Sequence, residues 1–252
     1  MAAPLTEMAI DKIRSMITSG DLTPGARLPP EQELASQLGS SRNTTREAVR
    51  ALVTARVLDV RRGDGTYVTS LRPELLLEGI GFAVELMHDE NGLELIEVRK
   101  ALEPAATELA AQRIGEAGLA RVERHLMLMR ESAEVEELVT HDADFHIAVA
   151  EAAGNSTMAS MLRGISSRTI RARVWHGILE EGATQRTIAE HEMIYRALVS
   201  GDIGLARAAA LVHVSTTESF VRRLVGRPSG NDGNGLSSNV WDHQVGHSRH
   251  ST

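Results

Sequence analysis

EQELASQLGSSRNTTREAVRALVTA, Glu31 to Ala55, is the stretch on which the fold of the first part of this chain turns. Leu34 and Leu38 lie one helical turn apart and Gly39 ends the pattern, which predicts a short helix closed by glycine. Ser41 then stands where an N-cap belongs, ahead of a run in which Val49, Leu52 and Val53 share one face. A short helix, a Gly-Ser-Ser turn and a capped second helix make the core of a helix-turn-helix.

Working outward, LTEMAIDKIRSMITSG (Leu5 to Gly20) carries Ile10, Ile13 and Ile17 on one stripe, with Met16 at its edge. Downstream, VLDVRRGDGTYVTS (Val57 to Ser70) reads as two short strands around Gly63-Asp64-Gly65. Three helices and a hairpin predict a winged helix-turn-helix over residues 1–72. Arg42 and Arg46 lie one turn apart at the start of the third helix, with Asn43 on its polar flank. The N-terminal residues of a recognition helix enter the major groove, where Arg pairs with guanine in bidentate fashion. Thr44 or Thr45 would reach phosphate or a thymine methyl. Arg61 and Arg62 precede the wing tip at Gly63, where backbone and sugar-phosphate approach closely. The plainer alternative is a solvated arginine face on a generic helical domain.

The charge distribution fits two parts with different partners. The net charge of −7 over 252 residues weighs weakly against nucleic acid. Residues 1–72, however, carry 10 Lys and Arg against 8 Asp and Glu, and residues 73–252 carry 17 against 26. Aromatic residues make up only 3% and prolines number 7, which favours helix. With no cysteine, disulfides and thiolate chemistry are excluded. No apolar run approaches the ~18 residues of a membrane span and the start lacks a signal-peptide core, so no membrane partner and a cytoplasmic location are expected.

From Leu75 to Leu224 helical patterns succeed one another without strand alternation, predicting an all-α bundle of about six or seven helices. The second domain is placed at 73–226. The remainder, 227–252, is rich in Gly, Ser and Asn and reads as a disordered tail whose His243, His247 and His250 make a poor metal site.

Within the bundle, Asp142 and His146 are four residues apart and share a helix face, about 40° apart on the ~100°-per-residue wheel. Asp144 then points nearly opposite His146, and His141 lies to the side. His191 shares a stripe with Ile188, Ile194, Tyr195 and Leu198, and His213 shares one with Ala206, Ala209 and Phe220. Three imidazoles and a carboxylate in a bundle core would suit zinc, nickel, manganese or iron. A lone histidine on an apolar face is more often a satisfied core residue, and spacing alone does not show convergence. Arg99 shares its face with Leu95, Ile96 and Leu102, which would bury a guanidinium needing an anionic partner, either Glu103 one turn on or a ligand.

LPPEQELASQLGSSRNTTREAVRALVTARVLDVRRGDGTYV (Leu28 to Val68) resembles the DNA-binding domain of the GntR family of bacterial transcription regulators. That family's pattern is LPSERELA-x-x-LGVSR-x-x-VREAL-x-x-L followed by a glycine-containing wing. Pro30-Glu31-Gln32 replaces its Ser-Glu-Arg, and Thr44-Thr45 replaces its Pro-Val. Gln32 thus stands where a DNA-contacting Arg is usual, and suits adenine better than guanine.

IEVRKALEPAATELAAQR, DADFHIAVAEAAGN and EHEMIYRALVSGDIGLARAAALVHV resemble successive signatures of the FCD effector domain of the FadR subgroup. The resemblance implies metal ligation by Asp142, His146, His191 and His213, with zinc the first choice. It also carries the family's Glu-x-Arg onto Glu97 and Arg99, and its Gly-Asn onto Gly154 and Asn155.

Together these readings imply a mainly α, homodimeric, metabolite-responsive regulator of a near-palindromic double-stranded operator. It would be a repressor released by a small carboxylate effector at Arg99, Asn155 and the metal. A metal-dependent enzyme with Glu97 or Asp144 as base, or a metal-sensing regulator, is the alternative. The fused DNA-binding domain weighs against the enzyme, because catalysis has no use for Arg42 and Arg46 at a capped helix start.

Overall fold

In the computed structural model the described residues are 5–86, 92–166 and 182–225. The chain divides into two compact units, one ending at Gly79 and the other beginning at Ile80. The tail read over 227–252 lies outside the described residues.

The first unit is a winged helix-turn-helix built from α1 (Leu5–Thr18), α2 (Glu31–Leu38), α3 (Arg42–Thr54), β1 (Leu58–Arg61) and β2 (Gly65–Val68). A short α4 (Pro73–Leu76) comes after the wing. Ile13, Leu34, Leu38, Leu52, Leu58 and Val68 close one apolar core, to which the helices give their inward faces and each strand one end residue. Gly39 sits at φ 61°, a left-handed conformation that costs glycine nothing, and its N–H and that of Ser40 close off the end of α2. The chain then reverses into α3, where Ser41 Oγ accepts the Thr44 N–H at 3.1 Å as the N-cap. The strands pair antiparallel with Leu58 opposite Val68 and Arg61 opposite Gly65, leaving Arg62, Gly63 and Asp64 as the wing tip.

The second unit is all helix among the described residues. It comprises α5 (Glu78–Leu86), which straddles the break, α6 (Gly92–Arg113), α7 (Glu116–Glu131), α8 (Val135–Ala152), α9 (helical over 156–166), α10 (Ala183–Ser200) and α11 (Ile203–Val225). α6 packs against α11 and α8, α7 against α8 and α10, and α10 against α11. Alanines at 106, 110, 148, 197, 206 and 210 let these helices approach, while Leu126, Met129, Phe145, Ile194 and Leu198 fill the core. No helix among the described residues is long and apolar enough to cross a membrane.

Candidate DNA-reading face and metal centre

α3 presents its first turn to solvent, with Arg42, Asn43 and Arg46 exposed and Thr44 half-buried. Arg46 is held in bidentate fashion by Glu31 of α2, Nη2 to Oε1 at 2.7 Å and Nε to Oε2 at 3.2 Å. That contact holds the Glu31 carboxyl below its ordinary range. Gln32 Oε1 lies 3.4 Å from Arg42 Nη2, which brings the substituted Gln onto the same patch. Thr44 Oγ1 lies 2.7 Å from Ser41 Oγ at the cap. Thr45 does not face outward: it is fully buried, with Oγ1 2.8 Å from Ser40 Oγ. It ties the turn together rather than reaching DNA, because it shares the inward face with Ala48 and Leu52.

At the wing, Arg62 and Gly63 occupy the exposed tip, with Gly63 at φ 75°. Arg61 lies over the Tyr67 ring, 4.1 Å from its centroid, while the Tyr67 hydroxyl donates to Asp64 Oδ2 at 2.8 Å. The sequence reading missed Arg27. It pairs opposite Tyr67 as an isolated bridge, and its Nη2 donates to the Asp64 carbonyl. Gly65 makes room for it, since a Cβ there would stand 2.7 Å from Arg27 Nε. No periodicity in the linker around Arg27 marked it.

The bundle brings Asp142, His146, His191 and His213 together: one ligand atom from each lies within 4.8 Å of all the others. His146 Nε2 is 3.0 Å from His213 Nε2 and 3.2 Å from His191 Nε2. Asp142 Oδ1 stands 2.9 Å from His191 Nε2 and 3.8 Å from His146 Nε2. Asp142, His191 and His213 are buried and the His146 side chain is only 9% exposed.

The outer nitrogens settle which atoms face the centre. His191 Nδ1 donates to the Thr187 carbonyl at 2.7 Å, since a carbonyl only accepts, and this turns Nε2 toward the centre. His213 Nδ1 lies 2.9 Å from Glu190 Oε2, whose other oxygen takes the Thr216 hydroxyl at 2.7 Å. Burial pushes the Glu190 carboxyl up, but His213 and Thr216 outweigh it and the net shift is downward. His146 Nδ1 faces Glu103 Oε2 at 3.5 Å. Burial, then the neighbouring imidazoles, holds His146 well below the ordinary histidine range and His213 down to about 4.

Three Nε2 atoms and a carboxylate oxygen thus converge within one small buried space, the arrangement that a shared cation would bridge. Imidazoles whose far nitrogens are oriented by carbonyl and carboxylate acceptors are the usual surroundings of a bound metal. The donor set fits a divalent ion.

The effector-site residues fare differently. Arg99 is buried and its Nε meets Glu103 Oε1 at 2.5 Å, the i,i+4 pairing weighed from the sequence. The Glu103 carboxylate also faces His146, so the chain itself supplies an anion between guanidinium and metal centre. Glu97 is exposed and pairs with Arg222 at 2.8 Å, while Lys100 and Arg121 pair with Glu218 and Glu151 instead. Asp144 is 48% exposed and points away from the centre. Asn155 lies beyond the end of α8 at Ala152, in the turn that leads into α9. Its side-chain oxygen accepts the Met158 N–H at 3.1 Å, capping α9. Thr187 and Glu190 are site residues that sequence reasoning missed, and Glu103 was read as a partner for Arg99 but not for His146.

A winged helix-turn-helix joined to a helical bundle with a buried Asp/His centre defines a DNA-binding regulator with a metal-compatible sensing domain, rather than an enzyme. Residues 5–68 match the model of the bacterial regulatory proteins of the gntR family, and residues 94–216 match the FCD domain. The chain belongs to the GntR family and is a transcription regulator with an FCD effector domain, built to bind DNA and a small-molecule effector.

The HTH-type transcriptional regulator LutR of Bacillus subtilis (strain 168) is 34% identical over 213 residues, which span 82% of this chain and 96% of that protein. The galactonate operon transcriptional repressor of Escherichia coli (strain K12) is 29% identical over 225 residues, 87% of this chain and 96% of that one. Among solved structures, a Streptococcus agalactiae GntR aligns with a TM-score of 0.59 and 29% identity, covering 85% of this chain and 99% of the other.

Proposed function

We propose that this regulator is a homodimeric repressor, released from a near-palindromic operator when a small carboxylate binds at a zinc ion held by Asp142, His146, His191 and His213. The observation that carries this reading is the convergence of the three Nε2 atoms on one point, with Asp142 beside them. Three imidazoles and one carboxylate favour a borderline ion such as zinc over magnesium or calcium, with nickel, manganese and iron as the competing occupants. Such an ion keeps coordination positions that a carboxylate and an adjacent hydroxyl would chelate.

Arg99 would meet the same anion. Glu103 holds its Nε and so orients the planar Nη edge, the geometry in which guanidinium recognises carboxylate. The name of one relative, the galactonate operon repressor, connects a similar chain to a sugar acid. Binding would draw α6, α8, α10 and α11 together and shift a population of dimer states. The dimer is inferred from the reach of one recognition helix, which reads too few bases to specify an operator alone. On the DNA side, Gln32, Arg42, Asn43, Thr44 and Arg46 would address the major groove, and Arg61, Arg62 and Gly63 the adjoining backbone.

The test is metal analysis of natively purified protein, then thermal-shift screening of small hydroxy acids and sugar acids, with and without a chelator. A true effector stabilises the metal-loaded protein, loses its effect on chelation and loses it again in Arg99→Ala. An effector that binds the metal-free protein equally well, or a neutral or cationic effector, overturns the mechanism.

A further inference from the structure

The buried centre uses one face of α8, and the same helix carries a second set of ligating groups on another. We infer that His125 of α7 with His141 and Asp144 of α8 forms a second, weaker and solvent-accessible site for a divalent ion of the zinc class. His141 and Asp144 are three residues apart and share a face, and α7 packs directly against α8. One ligand atom from each of the three residues lies within 4.8 Å of the others, with His125 Nδ1 4.0 Å from Asp144 Oδ2.

The two rings are not stacked: their centroids are 6.3 Å apart and tilted by 38°, which leaves room between them. The Nδ1 atoms of His125 and His141 are both buried and make no hydrogen bond among the described residues. A buried imidazole nitrogen without a partner is an exception in folded proteins, and two such atoms beside one carboxylate point to a shared occupant.

Ligand atoms about 2.0–2.2 Å from a zinc ion stand roughly 3–3.5 Å from one another. The contraction from the present spacing falls to Asp144, whose side chain is 48% exposed and able to swing inward. Two imidazoles and one carboxylate select zinc, nickel or copper over magnesium and calcium. Three ligands rather than four, an exposed edge and the positive charge of Arg121 and Arg124 acting on His125 all make this site weaker than the buried one. Loading it would pin α7 to the turn of α8 that carries Asp142. The proposal does not depend on the effector reading above.

The experiment is calorimetric titration of the chelator-stripped full chain with zinc alone, paired with metal analysis and circular dichroism. The parent is expected to show a tight and a weak class of site. His125→Gln and Asp144→Asn should each weaken the weak class by roughly tenfold or more, since losing a ligand costs at least as much as losing one of its outer partners. Both should keep the tight class, and His191→Ala should show the reverse. Asp144→Asn, at a half-exposed position, separates ligand loss from any packing defect left by His125→Gln. A parent that saturates at one equivalent overturns the proposal. So does a weak class that survives both substitutions, which would assign it to His243, His247 and His250.

Discussion

Removing metal from the buried centre should lower the melting temperature of the chain by roughly 5–15 °C, and His191→Ala should abolish that response. The donors come from α8, α10 and α11, so the complete site exists only when those three helices are packed. An ion bound to the native state alone stabilises it by about 2.7 kcal/mol at a hundredfold excess over Kd and about 4.1 kcal/mol at a thousandfold. A chain of this size gains about 2–4 °C per kcal/mol, which converts those energies into the shift expected. His191→Ala also empties a fully buried position beside Phe145, whose ring centroid is 4.7 Å from that of His191. Such a cavity destabilises by roughly 2–5 kcal/mol on its own, so the variant's absolute melting temperature decides nothing. The quantity to read is the difference between scans with and without chelator, in which the cavity cost cancels. A parent whose melting temperature stays put although metal analysis shows the ion gone would refute the reasoning. A variant that retains the full chelator response would do the same.

Arg42→Ala and Arg46→Ala should each weaken operator binding between roughly fivefold and a hundredfold with the fold intact, measured by gel shift against operator and scrambled DNA. Ser41→Ala removes the side chain that accepts the Thr44 N–H and should destabilise the first unit by about 1 kcal/mol in urea denaturation. Glu190→Gln leaves all four donor atoms in place but replaces the carboxylate on His213 Nδ1. Metal affinity should fall by about 10–100-fold in a competition titration, whereas unchanged affinity would mean that the outer carboxylate does not matter.

The architecture was legible because its devices are local. The capping serine, the glycine that ends α2 and the hairpin around Gly63 all act within a few residues, where spacing in sequence equals spacing in space. The same holds for Asp142 and His146, whose shared face is a property of one helix. Convergence with His191 and His213 is a different matter, because it depends on how α8, α10 and α11 cross. Wheel arithmetic placed each imidazole inward but supplied no distance, and the family resemblance was needed to join them.

The outward reading of Thr45 failed because a helix of thirteen residues does not assign polar groups to solvent by type. The Ser40 hydroxyl satisfies Thr45 in the interior, which no pattern in the chain announces. Asn155 shows how one residue type serves a local role as well: after a helix-ending glycine its side-chain oxygen accepts the Met158 N–H as a cap. Glu190, and the second oxygen of Glu103, were invisible for a further reason. They matter through nitrogens that belong to other helices.

Glu103 has one oxygen on Arg99 and the other toward His146. On the proposed mechanism, an anion at the Nη edge of Arg99 would share the guanidinium charge with Glu103, and a carboxylate less neutralised there would pull harder on the imidazole. The imidazole would then become a stronger electron donor on its opposite side. By thermodynamic reciprocity, whatever factor an anion at Arg99 contributes to holding the ion, the ion returns to holding the anion. Under that proposal neither affinity would be a constant of the protein. Each would be a function of how much of the other is present, with a single shared carboxylate as the lever between the two concentrations.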